Sequence, residues 1–341
     1  MKQFRAMVKA RTMEFVRDKG TFYWNLLFPL VLVFGFSFAF SSGNNTLFKV
    51  GLTGPVPSAQ EFSFLGVGQI EFIEYEENQT SRESLIKKVR HHQLDMVIDF
   101  VQESYFINSE GENAEILQIL AESRSEEGLS LDDFKKEELT GKAIRYVDWL
   151  VPGIIGMNML FSCLFGVGFV IVRYRKNGVL KRLKATPVTS MSFILAQMTS
   201  RFLIVLATSV VVFTGTNIFL HFMMLGSYFL LLLITSLAIL CMIALGLIFA
   251  ARIKSEELAS GLMNLITFPM IIFSGVFFSL EGTPVILQRV SKLFPLTHFI
   301  EGARKIMLEG ADILTVAPQL LILTAMTLLF LVVASLTFKW D

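Results

Sequence analysis

Residues 173–187 read RYRKNGVLKRLKATP and lie between two long apolar runs. The stretch carries six basic side chains and no acidic one. Short basic loops between membrane spans are kept on the cytoplasmic side, so this loop predicts the orientation of the chain. Val179, Leu180 and Leu183 recur at helical spacing, which predicts a short helix from about Gly178 with one apolar patch. Such a patch has two interpretations: a turn that binds lipid headgroups, or a helix that docks on a partner protein.

The composition indicates a polytopic α-helical membrane protein. Of the 341 residues, 53% are hydrophobic, 17% are charged and 33 are phenylalanine, and the mean hydropathy is +0.59. These values favour membrane spans over one large soluble core. The net charge of +1 gives no reason to expect a nucleic-acid partner. The two cysteines, Cys163 and Cys241, each fall inside an apolar run and are interpreted as small packing residues.

Six apolar runs are long enough to cross a membrane. At about 1.5 Å per residue, roughly 20 apolar residues span the ~30 Å hydrocarbon core. The predicted spans are residues 22–40, 149–172, 193–220, 228–251, 258–280 and 316–338. The first run has no short apolar stretch ending in a small-residue cleavage site, so we interpret it as a retained span rather than a signal peptide. Six spans with basic inner loops place both termini in the cytoplasm.

The N-terminal residues 1–21 predict a basic amphipathic helix. Phe4, Met7, Val8 and Phe15 fall near helical spacing among basic side chains. A helix of this kind is suited to lie in a membrane interface. The alternative is a solvated, positively charged tail.

Residues 41–147 differ from the rest because they are rich in acidic side chains and alternate between strand and helix patterns. Predicted strands are residues 48–52, 71–75, 95–100 and 104–107, and predicted helices are residues 84–92 and 113–123. The pattern predicts a small α/β or α+β domain on the outer side of the membrane, opposite the basic loops. Residues 122–140 are charge-rich with little apolar content and predict a solvated helix or a mobile linker.

The connection 281–315 predicts two short amphipathic helices broken at Pro295. Apolar residues from Leu296 to Met307 recur at helical spacing, with charged residues elsewhere on the helix. Helices this short cannot span, so we expect them to dip into the outer interface or to lie on it.

Polar residues inside the spans are the candidates for a translocation path. They are Asn158, Ser162 and Asn264. Intramembrane polar side chains are rare and often functional, although a hydrogen bond between helices also accounts for them.

Motifs for catalysis are absent from the sequence. There is no phosphate-binding Gly-rich loop with Lys and Ser or Thr, no His-Glu-x-x-His and no Gly-x-Ser-x-Gly. His91 and His92 are adjacent, so they point to different sides of a helix and predict no metal site. We assign no catalytic residue, no metal and no cofactor to this chain.

Two motifs resemble those of type-2 ATP-binding-cassette (ABC) exporter permeases. Residues 178–187 are similar to the loop that forms the coupling helix in that family, and residues 294–310 are similar to its signature before the last span. By resemblance, the residues that couple to the ATPase are Gly178, Val179, Leu180, Arg182, Leu183, Thr186 and Pro187. The residues of the outer amphipathic pair, which would gate the exit of the path, are Pro295, Phe299, Ile300, Arg304, Ile306 and Gly310.

The resemblance implies an ATP-driven exporter of the cell membrane of bacterial type, with this chain as its multi-pass permease. A separate cytoplasmic ATPase would bind ATP and Mg²⁺, and a second permease subunit would complete a homodimer or heterodimer in membrane lipid. Family members with a large outer insertion resemble exporters of drugs, antibiotics or lipids, and the phenylalanine-rich spans suit an amphipathic, lipid-like substrate.

Two rival functions come from other classes. One is a membrane signalling or scaffold protein with an outer ligand-sensing domain and a basic loop that recruits a cytoplasmic partner. The other is a passive channel, which the sparse intramembrane charge disfavours for ions. Co-purification with an ATPase discriminates among them, because neither rival requires nucleotide hydrolysis.

Overall fold

A computed structural model gives the fold of the chain as two compact units, Phe40–Arg145 and the remainder. The residues that it describes are 2–39, 48–58, 62–68, 70–75, 82–90, 94–109, 114–122, 131, 134–139, 145–186, 188–251, 253, 255–278, 280 and 284–337.

Two helices open the larger unit. Helix α1 (Lys2–Arg17) is followed by α2 (Lys19–Ala39), which carries Pro29 in its interior. Asp18 lies between them and accepts hydrogen bonds from the backbone N–H and the hydroxyl of Thr21, at 3.2 and 2.7 Å. These bonds lower the pKa of Asp18. An acidic residue at this position satisfies an otherwise unpaired N–H of the first helical turn, which defines where α2 begins.

The smaller unit is built on a five-stranded sheet. Its elements are β1 (Phe48–Thr53), β2 (Ile70–Tyr75), α3 (Arg82–Arg90), β3 (Met96–Asp99), β4 (Ser104–Asn108), α4 (Ala114–Glu122) and β5 (Lys135–Leu139). The strand order is β2-β1-β3-β4-β5. Strand β1 pairs in parallel with β2 and β3, β3 and β4 are antiparallel, and β4 and β5 are parallel. Because side chains alternate between faces, the sheet has an apolar core on each side.

Strand β5 corrects the prediction for residues 122–140. The sequence KKEEL predicted a solvated helix or a linker, but Lys135–Leu139 pairs along β4 in register from Ser104 with Lys135. Backbone hydrogen bonding forms this strand at the edge of the sheet, where charged side chains are favoured because they discourage pairing with other chains. Glu137 of β5 also pairs with Arg82 at 3.1 Å. Residues 123–130 of the predicted linker, like His91 and His92, lie outside the described residues.

The second span is a single long helical stretch. It consists of α5 (Tyr146–Cys163), a π-helical segment (Leu164–Phe169) and α6 (Val170–Lys176). Glycine allows close packing along it: a Cβ at Gly156 would lie 2.8 Å from Leu296. A π-helical segment is an insertion that locally widens a helix, and it is often found at functional positions.

Four helices follow the second span. Helix α7 (Val179–Lys184) is short, and α8 (Ser190–Leu220), α9 (Tyr228–Ala250) and α10 (Glu256–Phe273) are long. The hydroxyl of Thr189 caps α8, and that of Ser255 caps α10. Helix α10 ends at Phe273 and not at residue 280, because a turn follows in which Gly275 has φ of 71°. Such a positive φ ends a helix and favours glycine.

Three helices complete the chain: α11 (Val285–Ser291), α12 (Pro295–Glu309) and α13 (Ile313–Thr337). The apolar face of α12 is buried against α5, α9 and α13. Pro295 is at the start of the helix, where its missing N–H costs no hydrogen bond. Gly310 ends α12 with φ of 66°.

Six of the described helical stretches are long and apolar enough to cross a membrane. They are Lys19–Phe38, Tyr146–Lys176, Ser192–Leu220, Tyr228–Ala250, Glu256–Phe273 and Ile313–Thr337. The stretch Tyr146–Lys176 is the most buried of the six, and α9 packs against both it and α13. The chain is therefore a polytopic, mostly helical membrane protein.

Candidate functional site

A cavity of about 470 Å³ lies among α1, α2, the second span and α8. We call it the arginine cavity after its basic lining residues, Arg11, Arg173 and Arg201. Asn158 and Ser162, two of the polar residues predicted for the path, both line it. Asn264 lies on α10 and is not among the lining residues. The structure thus brings together two of the three residues.

Arg201 carries its charge inside α8 with only 5% exposure. Its Nε donates to the carbonyl oxygen of Ser162 at 2.6 Å, and its Nη2 donates to Ser162 Oγ at 2.9 Å. The Ser162 hydroxyl in turn donates to Asn25 Oδ1 at 2.6 Å. Gly166 leaves the space for the guanidinium, since a Cβ there would lie 1.9 Å from Arg201 Cζ. This chain of contacts joins α8, α5 and α2 just before the π-helical segment.

Arg201 is not among the site residues predicted above, although the sequence carries a signal for it. It is a basic residue well inside the apolar run 193–220, where an ionisable side chain marks a functional position by default. Asn25 is a similar polar residue near the start of the first span. The sequence does not indicate which residues these two side chains contact. Arg201 and its partner Ser162, for example, are 39 positions apart.

Glu14 of α1 has three partners at the edge of the arginine cavity. Arg11 pairs with its carboxylate at 2.8 Å, Arg173 pairs with it at 3.2 Å, and the Tyr174 hydroxyl donates to it. Burial raises the pKa of Glu14, but the Tyr174 hydrogen bond and the two arginines outweigh this effect, so the pKa is below its ordinary value. Arg11 also donates to the carbonyl oxygen of Gly166 at 2.9 Å. These bonds fasten α1 to the second span.

Helix α7 presents a basic surface. Gly178 precedes it with φ of 69°, a conformation that favours glycine. Lys181, Arg182 and Lys184 are exposed, whereas Val179 and Leu183 are half-buried. Thr186 is exposed, and its hydroxyl donates to the Leu183 carbonyl oxygen at 2.6 Å. Pro187 lies outside the described residues.

The apolar patch predicted on α7 is smaller than expected, because Leu180 is buried. Its exposure is 0%, so its side chain belongs to the interior of the protein and is not available to a partner. The two other members, Val179 and Leu183, remain partly accessible. Helical spacing placed the three residues on one side of α7, but it could not indicate that the rest of the chain covers Leu180 at the edge of that side.

Arg175 connects the basic loop to the end of α9. Its Nη1 donates to the carbonyl oxygens of Ala250 at 2.9 Å and Ile253 at 2.5 Å, and its Nη2 donates to that of Ala251 at 3.1 Å. The last carbonyls of a helix lack partners within the helix and carry partial negative charge, so a buried cation stabilises them. The neighbouring Lys176 pairs with Glu256 of α10 at 3.6 Å. The end of α6, two residues before α7, is thereby held to both α9 and α10.

The residues predicted for the outer gate lie on α12. Phe299, Ile300 and Ile306 are at most 1% exposed. The apolar face of α12 is therefore buried among the spans, and its placement relative to the outer membrane interface stays a prediction. Arg304 donates from Nε to the Trp149 carbonyl oxygen at 3.1 Å and from Nη2 to that of Gly275 at 2.7 Å.

A comparison with protein families identifies one family over most of the chain. The ABC-2 type transporter family matches residues 2–308, which is well over half of the chain. The chain belongs to the ABC-2 type transporter family. This membership identifies a multi-pass membrane permease, that is, a transport subunit rather than a catalytic enzyme.

Curated relatives of this ABC-2 permease are transport proteins. It is 20% identical over 360 residues to the probable multidrug ABC transporter permease YbhS of Escherichia coli K12, covering 97% of this chain and 95% of that protein. It is 27% identical over 186 residues to the inner membrane transport permease YhhJ of the same strain, covering 53% and 49%. It is 26% identical over 177 residues to the linearmycin resistance permease LnrN of Bacillus subtilis 168, covering 50% and 46%. The matches to YhhJ and LnrN thus span about half the length of those proteins.

A second cavity in the ABC-2 permease adjoins α12. It has a volume of about 460 Å³ and is lined mainly by apolar side chains of α5, α8, α9 and α12. From α12 it receives Phe299, Ala303 and Met307. The hydroxyl of Ser209 is buried beside it and has no hydrogen-bond partner among the residues that the structure describes.

Proposed function

We propose that this chain is the membrane-spanning permease of an ATP-driven exporter, working with a separate cytoplasmic ATPase that binds ATP and Mg²⁺. The observation that carries the proposal is the family match over residues 2–308, which contains the whole basic loop. ABC-2 permeases typically work with such an ATPase. The chain itself has no phosphate-binding motif, which agrees with a division of labour between two subunits.

The exposed face of α7 is the proposed docking surface for the ATPase. Val179 and Leu183 offer partly accessible apolar area, and Lys181 and Arg182 flank it with positive charge. A small apolar centre with a charged rim is typical of a protein interface. Arg175 ties the base of this surface to the end of α9, so movement of α7 would be passed to the spans.

The proposed orientation places the basic loop and both termini in the cytoplasm and the unit Phe40–Arg145 on the outer side of a bacterial-type cell membrane. The charge distribution supports it, because basic residues concentrate in the loops on one side of the six spans and acidic residues in residues 41–147. A second permease subunit, identical or related, would complete the complex.

The proposed substrate class is an amphipathic drug, antibiotic or lipid-like molecule. The names of YbhS and LnrN, a probable multidrug permease and a linearmycin resistance permease, support this class. Two cavities of about 470 and 460 Å³ with many apolar lining residues have the size and character of small-molecule sites. We assign the outer gate to α12, since Phe299 and Met307 line the second cavity.

Co-purification with the ATPase tests this function. The chain is expressed with a tag beside a candidate ABC ATPase, extracted in detergent and reconstituted in vesicles. We expect a stable complex that hydrolyses ATP and moves a fluorescent amphiphile only when ATP is present. Movement without ATP would support a passive channel, and failure to recover any ATPase would contradict the proposed ATP-driven export.

A further inference from the structure

Arg201 is a buried cation that no carboxylate of the described residues neutralises. It is 5% exposed, and its hydrogen bonds go to the backbone and hydroxyl oxygens of Ser162. Its guanidinium also lies over the ring of Phe15, whose centroid is 5.3 Å from Cζ. Among the described residues no acidic side chain pairs with it. An uncompensated charge in the apolar interior of a membrane protein is costly and marks an ion or ligand position.

The guanidinium of Arg201 has N–H donors that make no hydrogen bond to the described residues. It carries five N–H groups in a planar fork that matches a carboxylate or a phosphate. Nε and Nη2 donate to Ser162, whereas Nη1 donates to none of the described residues. Arg201 is also a lining residue of the arginine cavity, so the unused donors face a space that a ligand can enter.

The charges around the arginine cavity leave a net positive balance. Its lining includes three arginines and two carboxylates, Glu14 and Asp18. Glu14 is already engaged by Arg11 and Arg173, and Asp18 caps α2 through Thr21. Neither carboxylate is therefore available to Arg201, and the cavity is one negative charge short of neutrality.

Asn158 supplies an independent polar group. Its side chain is 6% exposed and lines the same cavity, and its amide makes no hydrogen bond to the part of the chain that the structure describes. An anion held at Arg201 could accept from this amide as well.

Aromatic side chains form much of the remaining lining. It includes Trp24, Phe28, Phe161, Phe165 and Phe169. Trp24 and Phe28 stack with their centroids 5.1 Å apart. An aromatic wall next to a cationic group fits a molecule that is apolar at one end and anionic at the other.

We infer that the arginine cavity binds the anionic headgroup of an amphiphile, a single phosphate or carboxylate with an attached apolar tail. Arg201 and Asn158 hold the headgroup, and the aromatic residues pack against the start of the tail. The amphiphile comes either from the surrounding bilayer or from the pool of transported substrates. The second source rests on the export function proposed above, whereas binding itself requires neither ATP nor the ATPase.

Binding of short-chain lipids to the purified permease tests the inference. The probes are dihexanoyl phosphatidic acid, its zwitterionic counterpart dihexanoyl phosphatidylcholine, and inorganic phosphate, each titrated while tryptophan fluorescence is recorded. We expect saturable binding of phosphatidic acid, at least tenfold tighter than that of the other two. Equal affinity for phosphatidylcholine, or equal affinity for inorganic phosphate, would overturn the assignment to an anionic amphiphile.

Matched variants locate the site. Arg201→Gln should weaken phosphatidic acid binding at least tenfold, while Lys9→Gln, which removes an exposed charge from α1, should leave it unchanged. Asn158→Leu should also weaken it, and this variant breaks no hydrogen bond to the described residues, so it remains informative if Arg201→Gln fails to fold. Wild-type affinity in a folded Arg201→Gln or Asn158→Leu protein would overturn the inference.

Two further measurements separate the sources of the ligand. If the occupant is a bilayer lipid, mass spectrometry should find an anionic phospholipid bound to the wild-type protein and lost from Arg201→Gln. If it is a transported substrate, vesicles containing the ATPase should move a fluorescent acidic amphiphile with ATP, and Arg201→Gln should not. Export that fails while Arg201-dependent binding persists contradicts the export function alone. Phosphatidic acid binding that is equally tight in the wild-type protein and in Arg201→Gln contradicts the cavity assignment alone.

Discussion

The guanidinium carbon of Arg304 lies 3.4 Å from the centroid of the Trp149 ring. The same guanidinium donates to the backbone carbonyls of Trp149 and Gly275. One side chain of α12 therefore joins the first turn of the second span to the turn that ends α10. A cation stacked on tryptophan and bonded to two carbonyls fixes the position of the helix.

Arg304→Gln should loosen α12. A hydrogen bond from a charged donor contributes about 1.5–3 kcal/mol, so we expect the free energy of unfolding to fall by about 2–4 kcal/mol. Thermal unfolding in detergent measures this loss, and transport in vesicles should fall with it while the ATPase stays bound. Arg289→Gln, at an exposed position of α11, is the control and should change neither. An Arg304 variant that exports normally would remove α12 from the proposed gate.

Arg175→Gln should uncouple ATP hydrolysis from transport. The change frees the carbonyls of Ala250, Ala251 and Ile253 at the end of α9 but leaves the exposed face of α7 intact. We expect the ATPase to bind and hydrolyse ATP while the transport per ATP falls severalfold. The measurement is the ratio of the transport rate to the ATP hydrolysis rate in vesicles.

The adjacent Lys176 provides the control for Arg175. Its ion pair with Glu256 is 3.6 Å long, and its side chain is 51% exposed, so it should contribute about 0–1 kcal/mol. Lys176→Gln should keep the normal ratio of transport to hydrolysis. If Lys176→Gln and Arg175→Gln behaved alike, loss of loop charge would explain the effect better than loss of the contact with α9.

The parts of this fold that depend on local pattern could be predicted from the sequence. Apolar length located the spans, and helical spacing with Pro295 located α11 and α12. Strand β5 could not be predicted, because its sequence KKEEL has no apolar alternation and only pairing with β4 makes it a strand. The end of α10 at Phe273 depends on a turn inside a run that is still apolar.

The site was predictable in its residue types but not in its contacts. Asn158 and Ser162 were identified as polar residues within a span, and both line the arginine cavity. The contact between Arg175 and Ala250 joins residues 75 positions apart and leaves no local signal. Burial of Leu180 is likewise decided by tertiary packing, since Leu183 has the same chemistry and stays partly accessible.

The proposed orientation predicts which side of the membrane each unit faces. A single cysteine at Gln102, exposed in the turn before β4, should react with an impermeant maleimide added to intact cells. A cysteine at Lys184 should react only after the membrane is opened. The native Cys163 and Cys241 are both buried, so they should give little background. Labelling of Lys184→Cys in intact cells would invert the orientation and place α7 out of reach of a cytoplasmic ATPase.

The ATPase interface predicts a ranking among variants of α7. Full burial of an apolar side chain of this size contributes about 1.5–3 kcal/mol. Val179 and Leu183 are already half-buried, so docking on the ATPase can add only part of that free energy for each. Aspartate at both positions should weaken the complex by about 3 kcal/mol, which is roughly a hundredfold in affinity. Arg182→Glu should cost about 0–1 kcal/mol, because it changes one exposed rim charge.

Leu180→Ala separates folding from docking. Because Leu180 is fully buried, its truncation should cost about 2–5 kcal/mol of stability yet leave the exposed face of α7 unchanged. Pull-down of the ATPase from detergent extracts at low temperature should therefore succeed with Leu180→Ala and fail with the double aspartate variant. If loop charge and not apolar contact recruits the partner, as in a lipid-binding turn, the order reverses: Arg182→Glu would impair binding more than the two aspartates do. An intact complex and normal transport in the Val179→Asp, Leu183→Asp protein would end the coupling role of α7.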